Sequence, residues 1–345
     1  MELIHSKDFT VCFGPSHSPD IPIFLRFRSV WQVLEKENIV LLNIKPEARE
    51  FVPPVIQSLK YAHQKNYCRD DYKELIELTL ILLGNKPEEI HWRIPGAVHR
   101  ARWMGKLLYT MKMYLFREQK DVFSLSKKET VQLERFVHFG AIIYTKVWTE
   151  APFAADAPNG DLQLWSNLEK YQEVDKEISD AAKKVLKNHL WYLSDELVGL
   201  SLFSDKISAA EKCLIVAGMT RESSEQRMVR GDSRLLMKDD VHLGDFASTR
   251  TVQLLNRLQI DNSFLSEDPE KWSDITEYQQ GQQRVHSLHV VNDAAERGVK
   301  LFQDFNLLLS KDEQEKQLIL QVVENNRRKV PTETTKQAAI SALVQ

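Results

Sequence analysis

Ala101, Met104, Leu107, Leu108, Met111 and Leu115 recur every three to four positions through AVHRARWMGKLLYTMKMYLFREQ, residues 97–119. A helix brings such positions to one side, whereas a strand lines up every second residue. The same spacing places Phe24, Phe27, Val30, Trp31 and Leu34 on one face of 23–34 and runs again through 124–148. Punctuation agrees with it. The 345 residues include only 12 Gly and 12 Pro, and a sheet-rich chain of this length uses more turn residues. The pattern predicts a mainly α fold.

Local signals set the helix ends. Residues 69–84 open on acids and close at Gly84, the order that the helix dipole favours. Ser124 or Ser126 heads 124–148, and Ser126 has Glu129 three residues on, the spacing of a capping box. Pro46 stands near a helix start, and Pro53-Pro54 interrupts the stretch 45–66 before a second helical stretch. Further helices are expected at about 161–171, 173–187, 190–203, 208–218, 249–258, 270–283, 293–308 and 311–327. Residues 13–22 and 149–161 read as loops and 218–248 as an exposed connection. A short strand fits near 285–291.

Charge and cysteine usage narrow the function classes. The net charge of -3 and pI of about 6.4 argue against a chain that binds duplex DNA by overall charge, although a local basic patch fits. Cys12, Cys68 and Cys213 are scattered and form no metal-ligand or disulfide pattern, so no metal site and no cofactor are expected. The first residues lack the layout of a signal peptide, and no apolar run approaches the roughly 18–20 residues of a membrane span. The expectation is an intracellular protein, in nucleus or cytoplasm, with no membrane partner.

Three constellations carry chemistry-bearing residues. In VVNDAAERG, Asp293 is placed to cap a helix whose third position is Glu296, and Arg297 stands four residues beyond Asp293, at ion-pair spacing. In HRARWMGK, Trp103 with Lys106 and Tyr109 could form a stacking edge for a base, with His99, Arg100 and Arg102 supplying charge. The competing reading makes Trp103 a core residue in an apolar stripe. Asp195 and Glu196 lie opposite Leu190, Leu193, Leu197 and Leu200, where acids are usually solvated.

FGPSHSPDIPIFLRF, PGAVHRARWMGKLLYTMKMYLF, NHLWYLSDELVGL and VVNDAAERGVKLFQDFN together resemble, in this order, segments of a set of uncharacterised proteins abundant in arthropods and cnidarians. Those proteins also occur in bracovirus genomes and derive from mobile DNA elements. The resemblance covers nearly the whole chain. A more distant similarity is to hAT-like transposases, whose RNase H-like core is split by an all-helical insertion. There an Arg-Trp pair contacts a base flipped out at the transposon end, and the Glu of an ER-containing helix completes a metal-binding acidic triad. Arg102-Trp103 and Glu296-Arg297 match those motifs.

That resemblance implies an N-terminal remnant of the catalytic core at 1–36, a helical insertion-like body at 37–248, returning helices at 249–330 and a frayed tail at 331–345. It implies that 1–36 and 249–330 pack together. The first two acids of the triad precede the matching region in longer relatives, and a two-metal site needs several converging carboxylates. Glu296 is then a vestigial metal-binding acid, and the ancestral Mg²⁺ or Mn²⁺ site is not expected to form. The expectation is a catalytically inactive transposase-derived remnant that binds hairpin, single-stranded or end DNA, or a protein. Two alternatives stay open: a helical protein-interaction module with no nucleic-acid role, and a nuclease active only with a missing N-terminal half.

Overall fold

A computed structural model describes residues 22–64, 70–87, 90–96, 103–150, 154–187, 190, 192–223 and 231–288. The chain divides into two units, Met1–Val290 and Val291–Gln345, and every described residue belongs to the first. His99, Arg100, Arg102, Asp293, Glu296 and Arg297 lie outside the described residues, as do the helices expected at 293–308 and 311–327 and the tail. The described residues form helices and turns, with no strand among them.

Pro22 opens α1 (Pro22–Val30), where a missing backbone N–H is harmless. Its Phe24 and Phe27, with Trp31 just after it, are buried. Helix α2 is Val52–His63 and α3 is Asp70–Leu82. The expected break in 45–66 falls just before Pro53 and Pro54, where a 3-10 stretch at Pro46–Phe51 gives way to α2. The two prolines occupy the first turn of α2. Val55, Leu59 and Ala62 of α2 seal a small core against Ile76 and Leu80 of α3.

The C-terminus of α3 closes as its sequence predicts. Gly84 takes φ +76°, its N–H donates to Ile81 O, and Asn85 N–H donates to Leu80 O. These two bonds make a Schellman motif, which needs a left-handed residue at Gly84. Beside it, α4 (Trp103–Leu115) is buried along most of its length. An extended strap ties the two ends together, since Val40 N–H donates to Leu115 O and Leu42 N–H to Leu82 O. Carbonyls that α3 and α4 leave unpaired are thereby satisfied.

Helix α5 (Lys127–Phe139) starts at the expected capping box: Glu129 N–H donates to Ser126 Oγ at 3.2 Å, and Ser126 N–H to Glu129 Oε2 at 2.8 Å. It continues through a π-turn at Gly140–Tyr144 into α6 (Thr145–Glu150). The wide turn leaves Gly140 against Leu107 and Met111 of α4, where a Cβ would stand 2.8 Å from Leu107. Thr145 Oγ1 donates to Gly140 O and accepts from Thr79 of α3. Three helices therefore meet at the irregular turn.

An antiparallel pair follows, α7 (Ala157–Tyr171) and α8 (Lys176–Leu186). Helix α7 begins within the expected loop because Pro158 suits a helix's first turn. Asp175 caps α8 through Ile178 N–H, and Arg135 of α5 grips both Asp175 and Glu177.

The helix expected at 190–203 is instead a turn followed by a 3-10 stretch, Leu197–Phe203. Its residues 198–203 are all buried. Helices α9 (Ala209–Gly218), α10 (Thr249–Arg257) and α11 (Thr276–His286) pack around that stretch. The expected exposed connection at 218–248 is partly core: Leu236, Leu243, Phe246 and Ala247 are buried. Of the strand expected near 285–291, Val285 and His286 are still helical, and residues 289–291 lie outside the described residues.

Candidate functional site

The predicted stacking edge lies on α4. Trp103 opens that helix. Lys106 and Tyr109, its proposed companions, are 5% and 3% exposed, so they do not offer the solvent-facing edge that the sequence suggests. The reason is α1. Phe24 stacks on Tyr109 with ring centroids 4.7 Å apart, and Phe27 meets the same ring edge-on. The Tyr109 hydroxyl donates to Gly96 O, and burial pushes its phenol up to about 12.

One turn on, Lys112 is buried and its Nζ lies 2.5 Å from Glu74 Oε1 of α3. It also donates to Arg93 O and sits 5.2 Å from the Trp31 ring. Burial disfavours both charged forms, raising the Glu74 carboxyl and lowering the Lys112 ammonium. The pair joins α3, α4 and the segment carrying Arg93.

The acids expected on a solvated face are drawn inward. Glu196 is 4% exposed, and its Oε1 accepts from Arg250 Nε at 3.1 Å and from Arg250 Nη2. Arg257 Nη1 lies 3.5 Å from both Glu196 oxygens. Asp195 Oδ2 accepts from Ser248 Oγ at 2.9 Å, and Asp195 O accepts from Thr251 Oγ1. Ser248 is also the cap of α10, accepting from Arg250 N–H. Asp195 Oδ1 makes no hydrogen bond and stands 3.7 Å from Arg250 Nη1. This arrangement fastens the start of α10 to the 194–197 turn. Sequence reasoning missed it because a tertiary contact across more than fifty residues leaves no periodic signal.

Burial shifts the titration of two further polar residues. Asp161 of α7 keeps Oδ2 without a partner, and burial raises its carboxyl to about 7. Lys212 of α9 donates to the Tyr278 hydroxyl at 3.0 Å beneath the Trp272 ring, and burial lowers its ammonium. Among the described residues no group of three or more His, Cys, Asp and Glu converges as metal ligands. None of the described helices is long and apolar enough to cross a membrane. No protein-family model, no curated protein and no solved structure matches this chain.

Proposed function

We propose that this chain is a non-catalytic helical binding protein, descended from a transposase and acting as an interaction module. The observation that supports this reading is the use made of its buried charges. Glu74 with Lys112, and Glu196 with Arg250, join elements distant in sequence, as structural ion pairs do. The burial of Lys106 and Tyr109 weighs against a base-stacking role for that part of α4. Contact with DNA ends would then fall to His99, Arg100, Arg102 and Trp103 alone.

The test incubates the full chain with hairpin, single-stranded and duplex DNA, with Mg²⁺ or Mn²⁺, over a salt series. The expected result is no cleavage product and no preference for hairpin ends. Metal-dependent nicking would overturn the non-catalytic reading. A hairpin preference lost in Trp103→Ala would reassign the binding role to DNA ends.

A further inference from the structure

Two ammonium groups converge on one indole. Lys183 Nζ lies 5.4 Å and Lys187 Nζ 5.3 Å from the Trp165 ring centroid. The lysines are one turn apart at the end of α8, and Trp165 belongs to the neighbouring α7. Like charges four residues apart on a helix repel each other. Among the described residues neither ammonium has a carboxylate within ion-pair distance. Asp180, the acid one turn back, feels the Lys183 charge from beyond ion-pair distance but is engaged directly by Lys176 at 2.5 Å and by Gln172 at 2.8 Å.

The helix terminus supplies part of the missing counter-charge. Its carbonyls carry about half an elementary charge, which two full ammonium charges exceed. The indole adds a second deficit. Trp165 is 2% exposed, and its Nε1–H is buried with no hydrogen-bond acceptor. Buried N–H groups in folded proteins are nearly always paired, so an orphan next to two cations calls for an acceptor. Two ammoniums and an indole N–H are all donors. What they lack is a group that is anionic and rich in acceptors.

We propose that Lys183, Lys187 and Trp165 form a binding site for a phosphate group. A phosphate has several oxygens in tetrahedral array, so it can accept from an ammonium above the ring and from the in-plane N–H together. Its charge offsets the lysine pair. The long lysine stems, now folded over the ring, swing to admit it. The same chemistry occurs in free phosphate and in the phosphodiester backbone of a nucleic acid.

The experiment labels tryptophan indoles with ¹⁵N in the full chain and titrates inorganic phosphate, sodium chloride at matched ionic strength, and a short single-stranded oligonucleotide. The Trp165 resonance is the one missing in Trp165→Phe. A saturable shift of that resonance with phosphate assigns a free oxyanion, and saturation by the oligonucleotide alone assigns a phosphodiester. In either case Lys183→Gln/Lys187→Gln weakens binding at least about tenfold, the scale of lost hydrogen bonds to charged groups. Whichever of the two probes saturates the site also raises the thermal midpoint of the wild-type chain and not of the double variant, a readout that does not depend on Trp165→Phe folding. Responses to phosphate and to the oligonucleotide that both only equal chloride's, or a saturable response unchanged in the double variant, overturn the site.

Discussion

Arg250 Nε donates to Glu196 Oε1 across 3.1 Å of space and 54 residues of sequence. Both side chains are almost wholly buried, so each takes from the other, its nearest opposite charge, much of the interaction that water would supply. Glu196→Leu or Arg250→Met alone takes the nearest opposite charge from a buried ion, leaving it the more distant Asp195 or Arg257, and is expected to destabilise the fold by about 3 kcal/mol. Glu196→Leu combined with Arg250→Met removes both charges and is expected to recover most of that loss. Urea unfolding of the four proteins reads the coupling. Single effects that simply add would show that the pair is not the fastening.

The 3-10 stretch at Leu243–Phe246 is seated on α9 by backbone approach. A Cβ at Gly218 would strike the Gly244 carbonyl oxygen, and one at Gly244 would strike the Leu214 carbonyl. Arg221 holds the seat by donating to Gly244 O and to Ala247 O, and Glu211 accepts from Leu243 N–H at 2.7 Å. Neither glycine has positive φ, so the requirement is for space rather than conformation. Gly244→Ala is expected to destabilise by about 1–3 kcal/mol, the range for overpacking a close contact. Gly160→Ala, which has open space around it, is the matched control and should not destabilise. Thermal melts of the two variants distinguish them.

Local chemistry was legible in the sequence, and long-range burial was not. The Ser126–Glu129 box and the Gly84 terminus were both visible, because each depends on a few consecutive residues. The 3-10 stretch at Leu197–Phe203 was not, because residues buried on all sides lose the one-sided pattern that distinguishes helix types. In 218–248 the polar composition suggested exposure. Its buried positions instead depend on contacts such as Gly231 against Leu193 and Gly244 against Leu214, which only the tertiary fold brings together. Tyr109 illustrates the same limit at the candidate site. An aromatic residue on a helix gives the same spacing whether it stacks on a base or on Phe24.

Ser126 is a cap whose removal has a bounded effect. Its Oγ accepts from Glu129 N–H, while Glu129 also pairs with Arg26 of α1 at 2.9 Å. Ser126→Ala is expected to destabilise by about 1 kcal/mol. Ser126→Asp should retain most of the stability, because a carboxylate also caps and favours the positive end of the dipole. Arg26→Ala should change stability by no more than about 1 kcal/mol, since half-exposed Arg26 forms a surface ion pair. Guanidinium unfolding midpoints of the three variants give the ranking.

His138 and Asp161 pull the pH dependence of stability in opposite directions. Burial first, and then the Lys45 charge, lower the His138 imidazole from 6.5 to about 4, with Nδ1 bonded to the Tyr171 hydroxyl at 2.8 Å. A lowered folded value means that the unfolded chain takes up the proton first. His138 therefore removes stability as pH falls from about 6.5 to about 4, by up to about 3 kcal/mol. Burial raises the Asp161 carboxyl from 3.8 to about 7, so here the unfolded chain loses its proton first. Its contribution is fully present below 3.8 and is lost as pH rises through about 7. The slopes oppose one another between pH 4 and 6.5, and together they keep stability nearly level there. Asp161→Asn should leave stability near pH 4 little changed and raise it by a few kcal/mol above pH 7. Its urea midpoint should then climb steeply from pH 4 to 6.5, which exposes the His138 slope. Adding His138→Gln to Asp161→Asn should flatten that climb. A midpoint in Asp161→Asn as level as in the wild-type chain would show that the two groups do not titrate this way.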